Sequence, residues 1–205
     1  MSTPLQLEDI QAARTRIGPH IIPLRITSSP SLSEQFSCEI LLAHEYLQTT
    51  GAFKLRGAMN SVLQLDPETT GVTAVSTGNH GRALAYSARQ AGVPCIICMS
   101  ELVPENKLKA IRALGAETRI IGKSQDEAEV EARRLVDEEG YTMIPPFDHP
   151  HVIAGQGTLG LEILEQVPDV DTVLVQISGG GLISGIALAL KSQRPDVRIV
   201  GISME

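Results

Sequence analysis

Three short stretches hold residues whose types and spacing could do chemistry. Ser178-Gly179-Gly180-Gly181-Leu182 closes one apolar run and opens a helical one. Consecutive glycines let a backbone approach an anion closely, and the N–H groups at a helix start add donors and a positive dipole end. The stretch therefore reads as a phosphate cradle, with a tight strand-to-helix turn as the alternative. Its spacing is neither G-x-G-x-x-G nor G-x-x-x-x-G-K-[ST], which argues against a dinucleotide or a P-loop nucleotide. Ser76-Thr77-Gly78-Asn79-His80-Gly81 stands at a second strand-to-helix junction, where hydroxyls, an amide and N–H groups could grip a carboxylate. The same residues could equally form an N-cap in which Asn79 satisfies the first turn. In GAFKLRGA, residues 51–58, Lys54 falls near the first turn of a third helix. The helix dipole opposes positive charge there, which helps to keep the amine neutral, the form a Schiff-base nucleophile requires. An exposed surface lysine is the competing reading.

These residues need a scaffold, and the hydrophobic pattern describes one. From about Val72 onward, short β-branched runs alternate with helical stretches of about ten to fifteen residues, the signature of βαβ units and a parallel sheet. The pattern predicts strands over Val72–Ser76, Cys95–Met99, Glu117–Ile121, Thr172–Ile177 and Arg198–Ile202. It predicts helices over Asn79–Ala91, Glu105–Leu114, Asp126–Glu139, Val152–Gln166 and Leu182–Lys191. On the helix after Ser124, Ala128, Ala132, Leu135 and Val136 share one face, and the remaining charges form a solvated one, with Glu129 and Arg133 paired at i,i+4. The proline-dense segment Ile144 to Pro150 interrupts any regular element and reads as a crossing between two lobes. Before Val72, Leu7–Ile17 and Lys54–Leu65 read as helices, Glu39–Ala43 as a strand, and Thr27–Ser37 as a serine-rich loop.

Composition narrows the classes further. The 205 residues are 42% apolar and 20% charged, a balance that excludes disorder and suits one folded domain or two small ones. Aromatics are only 3%, so the core must be aliphatic, as in helices packed on a parallel sheet. A net charge of −7 without a basic run speaks against nucleic acid as a partner. No apolar stretch approaches the ~18 residues of a membrane span and no signal-like leader opens the chain, so the expected location is the cytoplasm.

Two metal-like or redox-like patterns carry less. Cys95 and Cys98 form a C-x-x-C, but both lie in the run predicted to be a buried strand, whereas redox use wants the first cysteine at a helix N-terminus. His149 and His151 flank Pro150 beside Asp148, a loop placement more typical of solvent-facing histidines than of ligands.

The segments Ala52 to Ala58, Ser76 to Gly81, Ala154 to Thr158 and Ser178 to Leu182, in this order, resemble the pyridoxal-phosphate enzymes of the threonine dehydratase and serine racemase group, fold-type II. The resemblance runs from about Leu7 to Glu205. Within that group GAFKLRGA, STGNHGRALAY, VPENK, PPFDHP and IAGQGT are most similar to the hydroxyectoine-utilisation dehydratases. It implies an α/β, two-lobed, tryptophan synthase β-like architecture with parallel sheets flanked by helices. Residues 1–70 and 150–205 would form the larger, cofactor-binding lobe, incomplete at its C-terminal end, and residues 71–149 the smaller one.

The resemblance also implies roles. Lys54 would hold pyridoxal 5'-phosphate as a Schiff base, with Phe53 and Phe147 flanking the ring and Asn79 bonded to its phenolic oxygen. Ser178, Gly179, Gly180, Gly181 and Leu182 would hold the phosphate, while Ser76, Thr77, Asn79 and His80 would bind the carboxylate of a small amino-acid substrate. Lys54 would then take the Cα proton, and loss of a β-hydroxyl would yield a keto acid and ammonia. Such enzymes are commonly dimeric. A divalent cation would use a glutamate at the position of Glu205. Racemases of the group carry a serine where this chain has Thr77, which weakens but retains racemisation as an alternative. Because relatives continue past residue 205, a catalytically silent fragment is the third reading.

Overall fold

The computed structural model describes residues 4–203. Helix α1 (Leu7–Ile17) is closed at its start by reciprocal bonds between Gln6 and Asp9, and is followed by a 3-10 turn, Gly18–His20. Then come strand β1 (Ile26–Ser28), helix α2 (Pro30–Phe36), strand β2 (Leu41–Ala43), a second 3-10 turn (Glu45–Leu47) and helix α3 (Lys54–Val62). β1 and β2 pair antiparallel, Ile26 opposite Ala43. The stretch expected to be a serine-rich loop is thus part strand and part helix. Pro30 sits in the first turn of α2, where its fixed φ is preorganised, and Ser37 at φ 52° ends it. Across this turn the Ser33 hydroxyl accepts the Ile40 N–H at 2.9 Å.

The next elements alternate: β3 (Gly71–Val75), α4 (Asn79–Ala91), β4 (Cys95–Met99), α5 (Glu105–Ala113), β5 (Glu117–Ile120), α6 (Gln125–Glu139) and β6 (Tyr141–Met143). They form a four-stranded parallel sheet in the order β5-β4-β3-β6, with Val72 opposite Cys95 and Gly71 opposite Tyr141. β6 has no counterpart among the sequence expectations, because three residues between Gly140 and the proline-rich segment carry too little period to register. Gly92 and Gly140, both at positive φ, end α4 and α6 as left-handed caps. Leu84, Ile97, Met99 and Ile111 are fully buried on one side of this sheet, where each such side chain contributes roughly 1.5–3 kcal/mol. Ala128, Ala132 and Leu135 of α6 cover the other side.

Cys95 belongs to the first of these clusters and Cys98 to the second. Residues i and i+3 of a strand point to opposite faces, so the two thiols cannot share a bond or an ion. Burial pushes Cys95 up to about 12 and Cys98 upward as well, so both are inert thiols.

Beyond the proline-rich segment lie α7 (Pro150–Gln166), β7 (Thr172–Gln176), α8 (Gly181–Gln193) and β8 (Arg198–Ile202). β7 and β8 pair parallel, Thr172 opposite Arg198, and Leu174 and Ile202 are exposed on one face of the pair. α3 lies between α4 and α7, so the helix that begins with Lys54 joins the two sets of βα units. Gly57 and Gly155 make that junction close. A Cβ at residue 155 would stand 2.5 Å from the Arg56 carbonyl oxygen, and one at residue 57 would stand 2.9 Å from that of Val152. No helix of the described residues is long and apolar enough to cross a membrane.

Candidate active site

The chain reaches Lys54 through a tight turn in which Gly51, at φ +76°, donates its N–H to the Gln48 carbonyl at 2.6 Å. Phe53 is the N-cap of α3 and Lys54 its first residue. The amine is half-buried, donates to the carbonyl of Pro146, and lies 5.3 Å from the Phe53 ring centroid and 5.9 Å from that of Phe147. Burial holds it below the usual lysine value. An amine made easier to deprotonate by desolvation, and held by one carbonyl, is disposed to act as a nucleophile.

Phe147 also meets the triple-glycine turn. A Cβ on Gly179 would stand 2.2 Å from its ring, and one on Gly181 2.5 Å from its carbonyl oxygen. Gly180 adopts φ +84° and donates to the Ile177 carbonyl at 2.8 Å. The three glycines therefore do different things: two admit Phe147, and the middle one makes the turn. Ser178 is one of two non-glycine residues at positive φ among the described residues, a local strain of the kind concentrated at ligand sites. α8 starts at Gly181, so the N–H groups of Gly181 and Leu182 belong to its first turn, while the Leu182 side chain enters the core.

At the third stretch Gly78 is the N-cap of α4, and the acceptor for the first turn comes from Ser76, two residues before it. The Ser76 hydroxyl accepts the N–H groups of Gly81 at 3.0 Å and Gly78 at 3.3 Å. Asn79 is not the cap, because it is already the first helical residue and its Oδ1 accepts from Arg82 Nη2 at 2.6 Å. The His80 ring is turned inward, 4% exposed, with Nε2 2.8 Å from the Ile144 carbonyl oxygen. Burial, and then the nearby Lys54 charge, hold it down at about 4, so it is neutral and donates to that carbonyl. Toward the loop His80 offers its backbone N–H, and Asn79 its backbone N–H and its side-chain Nδ2, the backbone groups being left without an intrahelical acceptor. Thr77 lies on the same loop, half-buried.

Sequence reasoning passed over the support beneath Lys54. Arg56, two residues on, is fully buried and holds Glu45 with two bonds of 2.9 Å, Thr158 at 3.0 Å and Glu162 through Nη1 and Nη2. Glu162 also accepts the Leu24 N–H at 2.6 Å. Buried charge paired on several sides ties the start of α3 to α7 and to the preceding loop. The signal was present as an arginine inside an otherwise apolar helical face. Two buried oxygens, Thr50 Oγ1 beside the Gly51 turn and Gln156 Oε1 beside Gly57, have no partner among the described residues.

His149 accepts the His151 N–H at 3.2 Å and so caps α7. Among the described residues no three His, Cys, Asp or Glu side chains are grouped to hold a metal ion. Glu205, the position the resemblance implies for a cation, lies outside the described residues.

A desolvated lysine, two aromatic rings and a glycine cradle at a helix start define a class: an α/β enzyme that holds a phosphate-bearing carbonyl cofactor. The chain belongs to the pyridoxal-phosphate dependent enzyme family, whose profile matches residues 17–205. It is 56% identical over 203 residues to a putative threonine dehydratase of Sinorhizobium fredii and 42% identical over 203 residues to an L-threonine ammonia-lyase of Thermotoga maritima. These alignments take in 98% of this chain but 61% and 51% of the two relatives. The structure of maize serine racemase superposes with a TM-score of 0.94 at 37% identity, over 97% of this chain and 61% of that one. The residues present fit the cofactor: the amine for its aldehyde, the N–H groups of Gly181 and Leu182 for its phosphate, and rings to flank it.

Proposed function

We propose that this chain carries the catalytic lysine and cofactor cradle of a pyridoxal-phosphate dependent dehydratase, an ammonia-lyase acting by β-elimination on a small β-hydroxy amino acid. The observation that carries the reading is the Lys54 amine, half-buried between Phe53 and Phe147, with Phe147 packed on the Gly179–Gly181 turn. Similarity to threonine dehydratases and ammonia-lyases supports the lyase chemistry. The substrate is of threonine or serine type or, by the resemblance of GAFKLRGA, STGNHGRALAY, VPENK, PPFDHP and IAGQGT to hydroxyectoine-utilisation dehydratases, a hydroxylated diamino acid of hydroxyectoine breakdown. We place the protein in the cytoplasm as a dimer, with lobes of residues 1–70 and 150–205 and of residues 71–149.

When bound, pyridoxal phosphate supplies an electron sink that makes the substrate Cα–H acidic. Lys54 would hold it covalently and, once freed, take the proton at Cα, a role its lowered proton affinity suits; that proton and the β-hydroxyl would leave together as water, and the released enamine would hydrolyse to the keto acid and ammonia. The N–H groups of Gly181 and Leu182 would bind the phosphate at the positive end of α8, on the turn formed by Ser178, Gly179 and Gly180. Thr77 and the N–H groups of Asn79 and His80 would orient the substrate carboxylate at the start of α4, while the Ser76 hydroxyl keeps that helix end in shape. Phe53 and Phe147 exclude water from the amine, which keeps the proton transfer local.

The test is to incubate the protein with pyridoxal phosphate, record the visible band, reduce with borohydride and map the labelled peptide. Label on Lys54, followed by ammonia and keto-acid release from L-serine or L-threonine, supports the reading; no band in a folded protein overturns it for this chain and leaves a silent fragment. Likeness to maize serine racemase supports racemisation as the second reading, which Thr77, in place of the racemases' serine, weakens but retains. It is distinguished by a pure enantiomer losing optical purity faster than it yields keto acid.

A further inference from the structure

We propose that Arg82 is a positioning residue of this site: it fixes which end of the Asn79 carboxamide faces the cofactor. The inference rests on the reading above and on the role that the resemblance implies for the Asn79 side chain, a bond to the cofactor's phenolic oxygen. A carboxamide has nearly the same shape either way round, yet only its NH2 end can donate to that oxygen. Something must choose the end.

Arg82 has the chemistry to choose. Its guanidinium has donors and no acceptor, and Nη2 lies 2.6 Å from Asn79 Oδ1, three residues back on the same helix face. Turning the amide over would set donor against donor and lose a charge-assisted bond. Oδ1 is thereby committed to Arg82, and Nδ2 is left with no protein acceptor among the described residues. Arg82 also lies beside a segment outside α4. Its Nη2 lies 4.0 Å from where a Cβ on Gly51 would stand, in the turn that leads three residues later to Lys54. The guanidinium thus stands where the start of α4 meets the lysine turn.

A donor held on the phenolic oxygen weakens that oxygen's grip on the proton of the Lys54–cofactor linkage. Losing the fixed donor raises the pH at which the visible band titrates. Three variants separate orientation from charge. Arg82→Met removes both, Arg82→Gln drops the charge but can donate an N–H to Oδ1, and Arg82→Lys keeps both. The expected result is a midpoint about one pH unit higher, tenfold in proton affinity, for Arg82→Met, with Arg82→Gln and Arg82→Lys close to the parent. In the cofactor-free protein, the Asn79 side-chain amide signals in 15N–1H spectra should move in Arg82→Met and return in Arg82→Gln. Equal titration in the parent and Arg82→Met overturns the inference, as does an equal shift in Arg82→Met and Arg82→Gln, which would be charge alone. Absence of any band in the parent overturns the functional reading, and the inference with it.

Discussion

The ring of Phe147 occupies the space that a side chain at residue 179 would need, with the hypothetical Cβ 2.2 Å from the ring edge. The same ring stands 5.9 Å from the Lys54 amine. One aromatic side chain therefore stands against both the half-buried amine and the triple-glycine turn.

Gly179→Ala should displace Phe147 or distort the turn, lowering affinity for pyridoxal phosphate by tenfold or more while α8 stays folded. Adding Phe147→Ala makes room, so the double variant should recover part of the loss; the two residues touch, and their effects should not add. Equilibrium titration of the visible band against cofactor concentration measures all three proteins.

Because burial lowers the Lys54 amine from its ordinary 10.5, the rate of cofactor attachment should rise with pH through a midpoint below that value. Phe147→Ala admits water and should move the midpoint upward. Lys54→Ala should abolish the band and leave the far-ultraviolet spectrum intact. Stopped-flow absorbance across pH reads the first two, and a retained band in Lys54→Ala would show that another group is the site of attachment.

His80 is held neutral in the fold, its proton affinity lowered from 6.5 to about 4. The unfolded chain binds this proton first, so stability should fall as pH drops below 6.5, with the full penalty reached below about 4. The size is on the order of 3 kcal/mol. His80→Gln, which can still donate to the Ile144 carbonyl, should flatten that part of the profile in urea unfolding.

Ser76→Ala removes the hydroxyl that accepts two N–H groups at the start of α4, and should cost about 1 kcal/mol. Asn79→Ala should cost little stability, because its oxygen bonds to Arg82 rather than to the helix end. Reversal of that order in thermal melts would restore Asn79 as the cap.

Arg56→Met leaves Glu45 and Glu162 buried without their partner, and should destabilise by about 3–5 kcal/mol. Replacing Arg56, Glu45 and Glu162 together with apolar residues should recover much of the loss, as chemical denaturation would show.

Local order was legible in the sequence. Helix Asn79–Ala91 and strand Cys95–Met99 stand where their periods and flanking glycines put them, and the motif order pointed to the lysine, the glycine turn and the loop between them. Those features are written within a few residues, where side-chain period, cap and turn chemistry act. Tertiary structure alone decided the rest. It brought the Pro146 carbonyl to Lys54 and the Phe147 ring to Gly179, and it set Arg56 among Glu45, Thr158 and Glu162. It also turned the His80 ring inward to Ile144 and gave Ser76 the capping role that Asn79 shared on paper. Most of these partners lie far apart along the chain, and their meeting depends on how α3 seats between α4 and α7, which leaves no periodic trace in any one segment. For the Ser76 cap the reason is finer: several polar residues in one loop could satisfy the same N–H groups, and only the folded backbone selects among them.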